Sequence, residues 1–229
     1  MLLTINNLSK SYGKKQVLEE VCLQIPENEI VGLLGSNGAG KSTLIKCIND
    51  LLCYEGSIQL DGREQQPALR SQIAYLPEKS CLKQTWKIRD AIRFFDAFYP
   101  DFDAEKAGRL VSQMELDPDS EIKALSKGMQ EKLQIALILS RKARLYILDE
   151  PLGGVDPATR EKILDMILEN FAPGSSMIVS THLIADLERI LDRALFMKEG
   201  KIMLDGAADD LRETHKKSID ALIREVYAC

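Results

Sequence analysis

The chain has 229 residues and 45% of them are hydrophobic, enough for the core of one large domain or of a domain with a smaller subdomain. Its formal net charge of −5 argues against nucleic-acid binding through bulk electrostatics, and we expect no nucleic acid among its partners. The longest apolar runs, such as Ile135–Leu139, are too short to cross a membrane, and the N-terminus shows no signal peptide. Five cysteines without C-x-x-C spacing predict reduced thiols. We therefore expect a soluble, intracellular chain that reaches a membrane only through a partner.

Short β-type runs alternate with helical periodicity, which predicts an α/β fold. The predicted strands are Leu2–Ile5, Val17–Ile25, Ile30–Gly35, Ser57–Leu60, Ile73–Leu76, Leu145–Asp149, Met177–Ser180, Ala194–Met197 and Lys201–Leu204. The predicted helices are Lys41–Asn49, Lys127–Ser140, Pro157–Asn170 and Ile184–Leu191. The early strands alternate apolar and polar residues, so we expect an antiparallel β flap beside a mixed sheet.

The stretch 79–125 has no convincing strands and reads as helices around Ile88–Tyr99 and Asp103–Met114. It predicts a small helical subdomain inserted into the α/β core. We interpret most of its aromatic residues as the core of that subdomain, and Trp86, the only tryptophan, as a candidate anchor for a partner. The tail from Ser218 to Tyr227 places four apolar residues on one helical face, which predicts a helix packed on its own domain; the alternative is a contact with a dimer mate or another partner.

A phosphate-binding pattern follows the third predicted strand. Gly35, Gly40, Lys41 and Ser42 satisfy G-x-x-x-x-G-K-[ST] between a strand and a helix. Glycines let backbone N–H groups converge on phosphate oxygens, and the helix N-terminus adds its positive end. Lys41 would reach the β- and γ-phosphates, and the Ser42 hydroxyl would bind Mg²⁺. The candidate nucleotide-binding residues, here called the phosphate loop, are Gly35, Ser36, Asn37, Gly38, Ala39, Gly40, Lys41, Ser42 and Thr43. The alternative is a glycine-rich turn with a chance lysine.

A second apolar strand ends in two carboxylates, in "RLYILDE". Asp149 would hold Mg²⁺ through water, and Glu150 is placed to polarise an attacking water. The alternative is an acidic cap on a strand end. Together with the phosphate loop, this motif predicts a P-loop NTPase. These two motifs do not distinguish a kinase, a GTPase, a helicase and a transport ATPase from one another. The absence of an N-K-x-D motif disfavours a GTPase.

Further motifs indicate which family of P-loop NTPases the sequence resembles. "SYG" with Tyr12 comes first, followed by the phosphate loop, "YLPE" and the helical stretch. "LSKGM", residues 125–129 and here called the signature segment, precedes the carboxylate strand, "GGVD" with Asp156, and "VSTH" with His182. In this order and over essentially the whole chain, the sequence resembles the nucleotide-binding subunits of ABC transporters. The resemblance implies that Tyr12 stacks on adenine, that Glu150 is the general base or water-positioning group, and that His182 contacts the γ-phosphate.

The resemblance also implies partners. Ser126 and Gly128 would bind the γ-phosphate of ATP held by a second chain, and Asp156 would link the two sites. We therefore expect a head-to-tail homodimer with ATP and Mg²⁺ at its interface, docked on a polytopic membrane subunit at the cytoplasmic face of the cell membrane. The competing interpretations are a soluble single-core ABC ATPase of an assembly machine and an unrelated P-loop kinase.

Two departures from the family pattern are visible. Glu78 stands where a glutamine usually senses the γ-phosphate and magnesium, and it joins Ser42 and Asp149 as a candidate metal ligand. In the signature segment, Lys127 and Met129 replace glycine and glutamine, and Lys127 would add positive charge near the partner's nucleotide. These features resemble the ABC-2-type branch of bacterial exporters, whose membrane subunits are separately encoded and which often export peptides, antibiotics or other amphipathic compounds.

We expect four segments in all. Residues 1–78 would form the ATP-binding core with the β flap and phosphate loop, and 79–140 the helical subdomain ending in the signature helix. Residues 141–206 would complete the core, and 207–229 would form a C-terminal helix.

Overall fold

A computed structural model describes residues 1–64 and 67–228, which form ten strands and eight α-helices. The strands are β1 Leu3–Tyr12, β2 Lys15–Ile25, β3 Ile30–Leu34, β4 Glu55–Leu60, β5 Arg63–Glu64, β6 Ile73–Leu76, β7 Leu145–Asp149, β8 Ser176–Thr181, β9 Arg193–Lys198 and β10 Lys201–Ala207. The helices are α1 Lys41–Ile48, α2 Ile88–Phe98, α3 Ala104–Gln113, α4 Lys127–Leu139, α5 Pro157–Asn170, α6 Ile184–Leu187, α7 Ala208–His215 and α8 Ile219–Ala228.

The strands form two sheets. The first is antiparallel, in the order β2-β1-β4-β5, and is the predicted flap. The second has the order β10-β9-β3-β8-β7-β6, with β6, β7, β8, β3 and β9 parallel and β10 antiparallel. The predicted α/β fold with a mixed sheet is confirmed. Because the parallel strands run the same way, the loops after β3, β6, β7 and β8 meet at one edge of the sheet.

The core lies on both faces of the mixed sheet. Alternate residues of β3 divide between them, with Val31 and Leu33 packing with α1 and the flap, and Ile30 and Leu34 packing with α4 and α5. Helix α1 therefore lies between the two sheets, and its buried face includes Leu44. This packing holds the phosphate loop at the start of α1 against the edge of the sheet.

Helix α2 presents aromatic residues on two faces. Phe95 is buried, as the interpretation of these residues as core predicts. That interpretation is wrong for Phe94 and Phe98, which are 45% and 64% exposed. They lie four residues apart on a different face of the helix from Phe95 and stack on each other with ring centroids 5.7 Å apart. Trp86 is partly buried, and its ring centroid lies 4.9 Å from that of Phe94.

The C-terminal segment contains two helices where we expected one. The segment of α7 reads as mostly polar, and the helix ends at His215, followed by Lys216 in a left-handed conformation. The predicted apolar face of α8 is confirmed by the burial of Ile219, Leu222 and Ile223. The backbone N–H of Ile219 donates to the Glu188 carboxylate at 2.8 Å, which fixes the start of α8.

The longest helix among residues 1–64 and 67–228 is α5, with 14 residues. No helix in these ranges has the length and apolar composition that a membrane span requires.

Candidate active site

A cavity of about 970 Å³ opens at the carboxyl edge of the mixed sheet, within the size range of small-molecule sites. It brings together most of the residues predicted for nucleotide and metal binding. Those that line it are Tyr12, Ser36, Asn37, Gly38, Gly40, Lys41, Ser42, Thr43, Glu78, Glu150 and His182. The loops after β3, β6, β7 and β8 each contribute, so the sheet topology assembles the site from distant parts of the sequence.

The phosphate loop has a backbone that requires glycine. Gly35 has φ +156°, and a Cβ placed there would lie 2.4 Å from the Met197 carbonyl oxygen. Gly40, in the left-handed region, caps α1 and supplies no side-chain acceptor to its first turn. The N–H donors at the start of α1 can therefore bind an anion, which the positive end of the helix dipole also attracts.

Lys41 is the buried cation of the site, with 6% of its surface exposed. Its Nζ donates to the carbonyl oxygens of Gly35 at 2.8 Å and Ser36 at 3.3 Å. The same ammonium lies 3.7 Å from Oε1 of Glu150. The loop thus holds a positive charge beside the α1 N-terminus, where phosphate oxygens can replace the two carbonyls.

Asp149 is 2% exposed and accepts hydrogen bonds from the hydroxyls of Ser180 and of Ser42, the latter at 3.4 Å. Burial raises the pKa of Asp149, the two hydroxyls oppose that rise, and the Glu150 and Glu78 carboxylates add to it. This desolvated carboxylate, surrounded by neutral hydroxyls and other carboxylates, is a favourable position for a cation.

The oxygen donors of Ser42, Asp149 and Glu78 have the chemistry that Mg²⁺ prefers. In the part of the chain that the structure describes, no group of three or more His, Cys, Asp or Glu side chains is arranged to hold a metal ion. In nucleotide sites Mg²⁺ takes one or two protein carboxylates and completes its coordination with substrate phosphates and water.

Glu150 and His182 lie next to each other in the wall of the cavity. Nδ1 of His182 lies 3.0 Å from Oε2 of Glu150, while the other carboxylate oxygen faces Lys41. Glu150 has φ +52°, a left-handed conformation that costs a non-glycine residue about 1–3 kcal/mol. Hydrogen bonds from its N–H to the Ser180 carbonyl at 3.0 Å and hydroxyl at 3.2 Å hold it there. The arrangement fixes a carboxylate that can orient a water molecule or accept its proton.

Six predicted site residues do not line this cavity, and three of them lie at the starts of α4 and α5. Ser126 caps α4 by accepting from the Met129 N–H at 3.3 Å, and Asp156 caps α5 by accepting from the Thr159 N–H at 3.0 Å. That hydrogen bonding from Thr159 lowers the pKa of Asp156. Gly128 lies beside Thr159, where an added Cβ would be 3.3 Å from its methyl carbon. These two helix starts adjoin each other. Gly35, Ala39 and Asp149 are buried and likewise do not line the cavity.

Known proteins resemble this chain in fold and in sequence. The chain matches the ABC transporter family over residues 18–153, more than half of its length. It belongs to the ABC transporter ATP-binding proteins. Its relatives include the lantibiotic transport ATP-binding protein SrtF of Streptococcus pyogenes, which is 31% identical over 215 residues, covering 91% of this chain and 92% of SrtF.

Solved structures agree with this assignment. The ATP-binding subunit of an ABC transporter, 32% identical, has a TM-score of 0.89 and covers 99% of this ABC ATPase and 100% of that chain. The dimeric post-hydrolysis state of the cassette MJ0796, bound to ADP and Pi, has a TM-score of 0.79 at 23% identity, covering 90% of this chain and 98% of that one. The second likeness establishes the shared fold.

The structure of the ABC ATPase adds residues that sequence reasoning missed. Ser180 forms hydrogen bonds with both Asp149 and Glu150. The feature that could have identified it is a hydroxyl residue on β8 at the position that pairs with Asp149 of β7. Gly153, the first residue of the "GGVD" motif, also lines the cavity although no role was predicted for it. Further cavity residues had no motif to identify them: Lys15, Gln16, Val17, Lys79, Glu131, Glu199 and Gly200. Lys127 of the signature segment also reaches the cavity, although Ser126 and Gly128 do not.

Proposed function

We propose that this ABC ATPase is the energy subunit of a bacterial exporter of peptides, antibiotics or other amphipathic compounds, acting with a separate membrane subunit. The observation that carries the proposal is the placement of Lys41, Glu150 and His182 around one cavity beside a helix N-terminus. This arrangement suits hydrolysis of a bound triphosphate. Export is supported by the printed function of SrtF, a lantibiotic transport ATP-binding protein.

Each residue has a role that its position supports. Lys41 would exchange its two carbonyl partners for phosphate oxygens of ATP, and the exposed ring of Tyr12 would stack on adenine. Glu150 would orient the attacking water and take its proton, with His182 fixing that carboxylate and contacting the γ-phosphate. Ser42, Asp149 and Glu78 would hold Mg²⁺, which neutralises phosphate charge when bound.

Three predicted site residues that do not line the cavity would contact a second copy of the chain. Ser126, Gly128 and Asp156 lie at adjoining helix starts and do not line the cavity that contains Lys41 of their own chain. A head-to-tail homodimer would bring Ser126 and Gly128 to the γ-phosphate of the partner's ATP, and Asp156 would link the two sites. The dimeric cassette MJ0796, which has the same fold, supports this arrangement.

An aromatic patch formed by Trp86, Phe94 and Phe98 would receive the membrane subunit. The two phenylalanines are stacked and exposed, and Trp86 supports one of them. Such a surface suits an apolar helix at the end of a membrane domain. Docking there would place the chain at the cytoplasmic face of the cell membrane.

The test is affinity purification of the tagged chain from detergent-solubilised membranes of its native cell, with mass spectrometry of bound proteins. The proposal predicts a polytopic membrane protein in roughly equal amount. Recovery with cytosolic assembly proteins only, and with no membrane protein, would favour the assembly ATPase instead.

Two variants of the patch sharpen the result. Trp86→Ala and Phe98→Ala should each reduce recovery of the membrane protein and leave ATP binding intact. Leu168→Ala, which truncates an apolar residue of α5 that is also about half exposed, is the matched control. Equal recovery with all three variants would remove the patch from the docking surface.

A further inference from the structure

The hairpin of β1 and β2 carries Tyr12 beyond the strands that pair regularly with β1. Tyr12 is the last residue of β1, it is 49% exposed, and it lines the cavity. On one side, β1 pairs with β4 only as far as Ser9, which lies opposite Glu55. On the other side, its register with β2 shifts on both sides of Lys10. Backbone pairing therefore supports the ring of Tyr12 less firmly than a regular ladder on both sides would.

Lys10 contacts this ring directly. Its Nζ lies 5.4 Å from the centroid of the Tyr12 ring, within the range in which an ammonium group is attracted to an aromatic face. Lys10 is partly buried and does not line the cavity, whereas Tyr12 is exposed there. The lysine is thus placed to act on the ring and not on a ligand in the cavity.

A second contact fixes Lys10 itself. Its Nζ donates to the carbonyl oxygen of Cys53 at 2.5 Å, in the loop between α1 and β4. That loop is held to the end of α1, where the Leu51 N–H donates to the Lys46 carbonyl oxygen at 2.8 Å. Helix α1 begins in the phosphate loop. Lys10 therefore connects the ring of Tyr12 to the helix whose N-terminus lies at the phosphate end of the cavity.

We propose that Lys10 is a positioning residue for nucleotide binding, which holds the ring of Tyr12 in place relative to the phosphate loop so that the ring can receive a nucleobase. This inference rests on the proposed function, in which Tyr12 stacks on adenine. A ring that is already ordered does not have to be ordered when the ligand binds, and ordering one side chain on binding lowers affinity about two- to tenfold. Lys10 acts only on ligands that carry a base.

The experiment compares binding of ADP and of inorganic pyrophosphate to the chain by isothermal titration calorimetry in the presence of Mg²⁺. ADP has no γ-phosphate that could bridge two copies of the chain, and pyrophosphate has no base. Lys10→Gln should raise the Kd for ADP about two- to tenfold and leave the Kd for pyrophosphate unchanged. Lys10→Arg keeps a cation that can lie over the ring and should bind ADP like the parent.

Lys14→Gln is the matched control. It removes the same charge from an exposed lysine in the turn of the same hairpin, and Lys14 does not line the cavity. It should bind both ligands like the parent. If it weakens ADP binding as much as Lys10→Gln does, the effect comes from the charge of the hairpin and the inference is wrong.

A double-mutant cycle with Tyr12→Ala separates positioning of the ring from a direct effect of the lysine. In the Tyr12→Ala background, Lys10→Gln should change the Kd for ADP by less than about twofold, because no ring remains to be held. An equal loss with and without the ring would overturn the inference. So would a matching loss of pyrophosphate affinity, since Lys10 would then attract phosphate directly.

The remaining outcomes separate this inference from the proposed function. If Tyr12→Ala weakens ADP binding and Lys10→Gln binds ADP as tightly as the parent, the inference is wrong and Tyr12 keeps its proposed role. If Tyr12→Ala itself binds ADP like the parent, the stacking role of Tyr12 is wrong and the inference falls with it.

Discussion

Replacing Glu131 with glutamine is expected to stabilise the folded chain at alkaline pH and to change its stability little in acid. Glu131 lies on α4 and faces the cavity, where burial raises its pKa from 4.5 to about 7 and Lys127 offsets part of that rise. Well below pH 4.5 the side chain is protonated in both the folded and the unfolded chain, so its titration adds nothing to the pH dependence.

The sign of the effect follows from which state holds the proton. Between pH 4.5 and about 7 the folded chain keeps the Glu131 proton that the unfolded chain has released, so stability falls as the pH rises through this window. Above about pH 7, Glu131 is ionised in the folded chain as well, and the folded state then bears the full free-energy cost of a desolvated carboxylate. The pKa difference corresponds to about 3 kcal/mol, and partial exposure of the side chain to solvent reduces this to about 2 kcal/mol. A neutral glutamine does not carry that cost.

The assay is thermal unfolding of the nucleotide-free chain from pH 5 to pH 8.5. At pH 8, Glu131→Gln should unfold about 4–8 °C above the parent, and at pH 5 the difference should shrink to about a quarter of that. Glu213→Gln, which replaces an exposed glutamate of α7, is the control and should show no such trend. A difference between Glu131→Gln and the parent that is constant with pH, or that grows towards acid, would refute the assignment of the cost to a buried carboxylate.

Two further predictions concern the nucleotide site. Lys41→Ala should abolish tight ATP binding, because the loop loses its buried cation, and equilibrium binding of a fluorescent ATP analogue checks this; unchanged affinity would remove Lys41 from the phosphate site. Glu78→Gln should keep ATP binding but change the Mg²⁺ concentration at half-maximal turnover, because it removes one carboxylate beside Asp149; an identical magnesium titration would place Glu78 outside the metal site.

Much of the fold could be predicted because its strands have strong local patterns. The buried strands β3 and β7 are continuously apolar, and the motifs that follow them occupy loops at the same edge of the sheet. Because β3, β8 and β7 are parallel neighbours in the structure, Lys41, Glu150 and His182 meet there. These residues are far apart in the sequence, and the order of the strands in the sheet brings them together.

The remainder depends on packing that no local pattern records. Phe94 and Phe98 are apolar, and only the orientation of α2 on the core decides that they face outwards. The two-residue strand β5 and the polar helix α7 are too short or too polar to give a clear periodic signal. Lys127 reaches the cavity because of how its helix sits beside the loop after β7, which spacing alone does not reveal.

The most direct test of the account is ATP hydrolysis by the purified chain and by its Glu150→Gln variant, with bound nucleotide measured in parallel. Glu150 is the carboxylate fixed between Lys41 and His182, so the substitution should lower turnover roughly 10²-fold or more. The variant should also retain unhydrolysed ATP in a stable dimer. Hydrolysis at the rate of the parent chain would contradict the account, because the general base would then have to lie elsewhere.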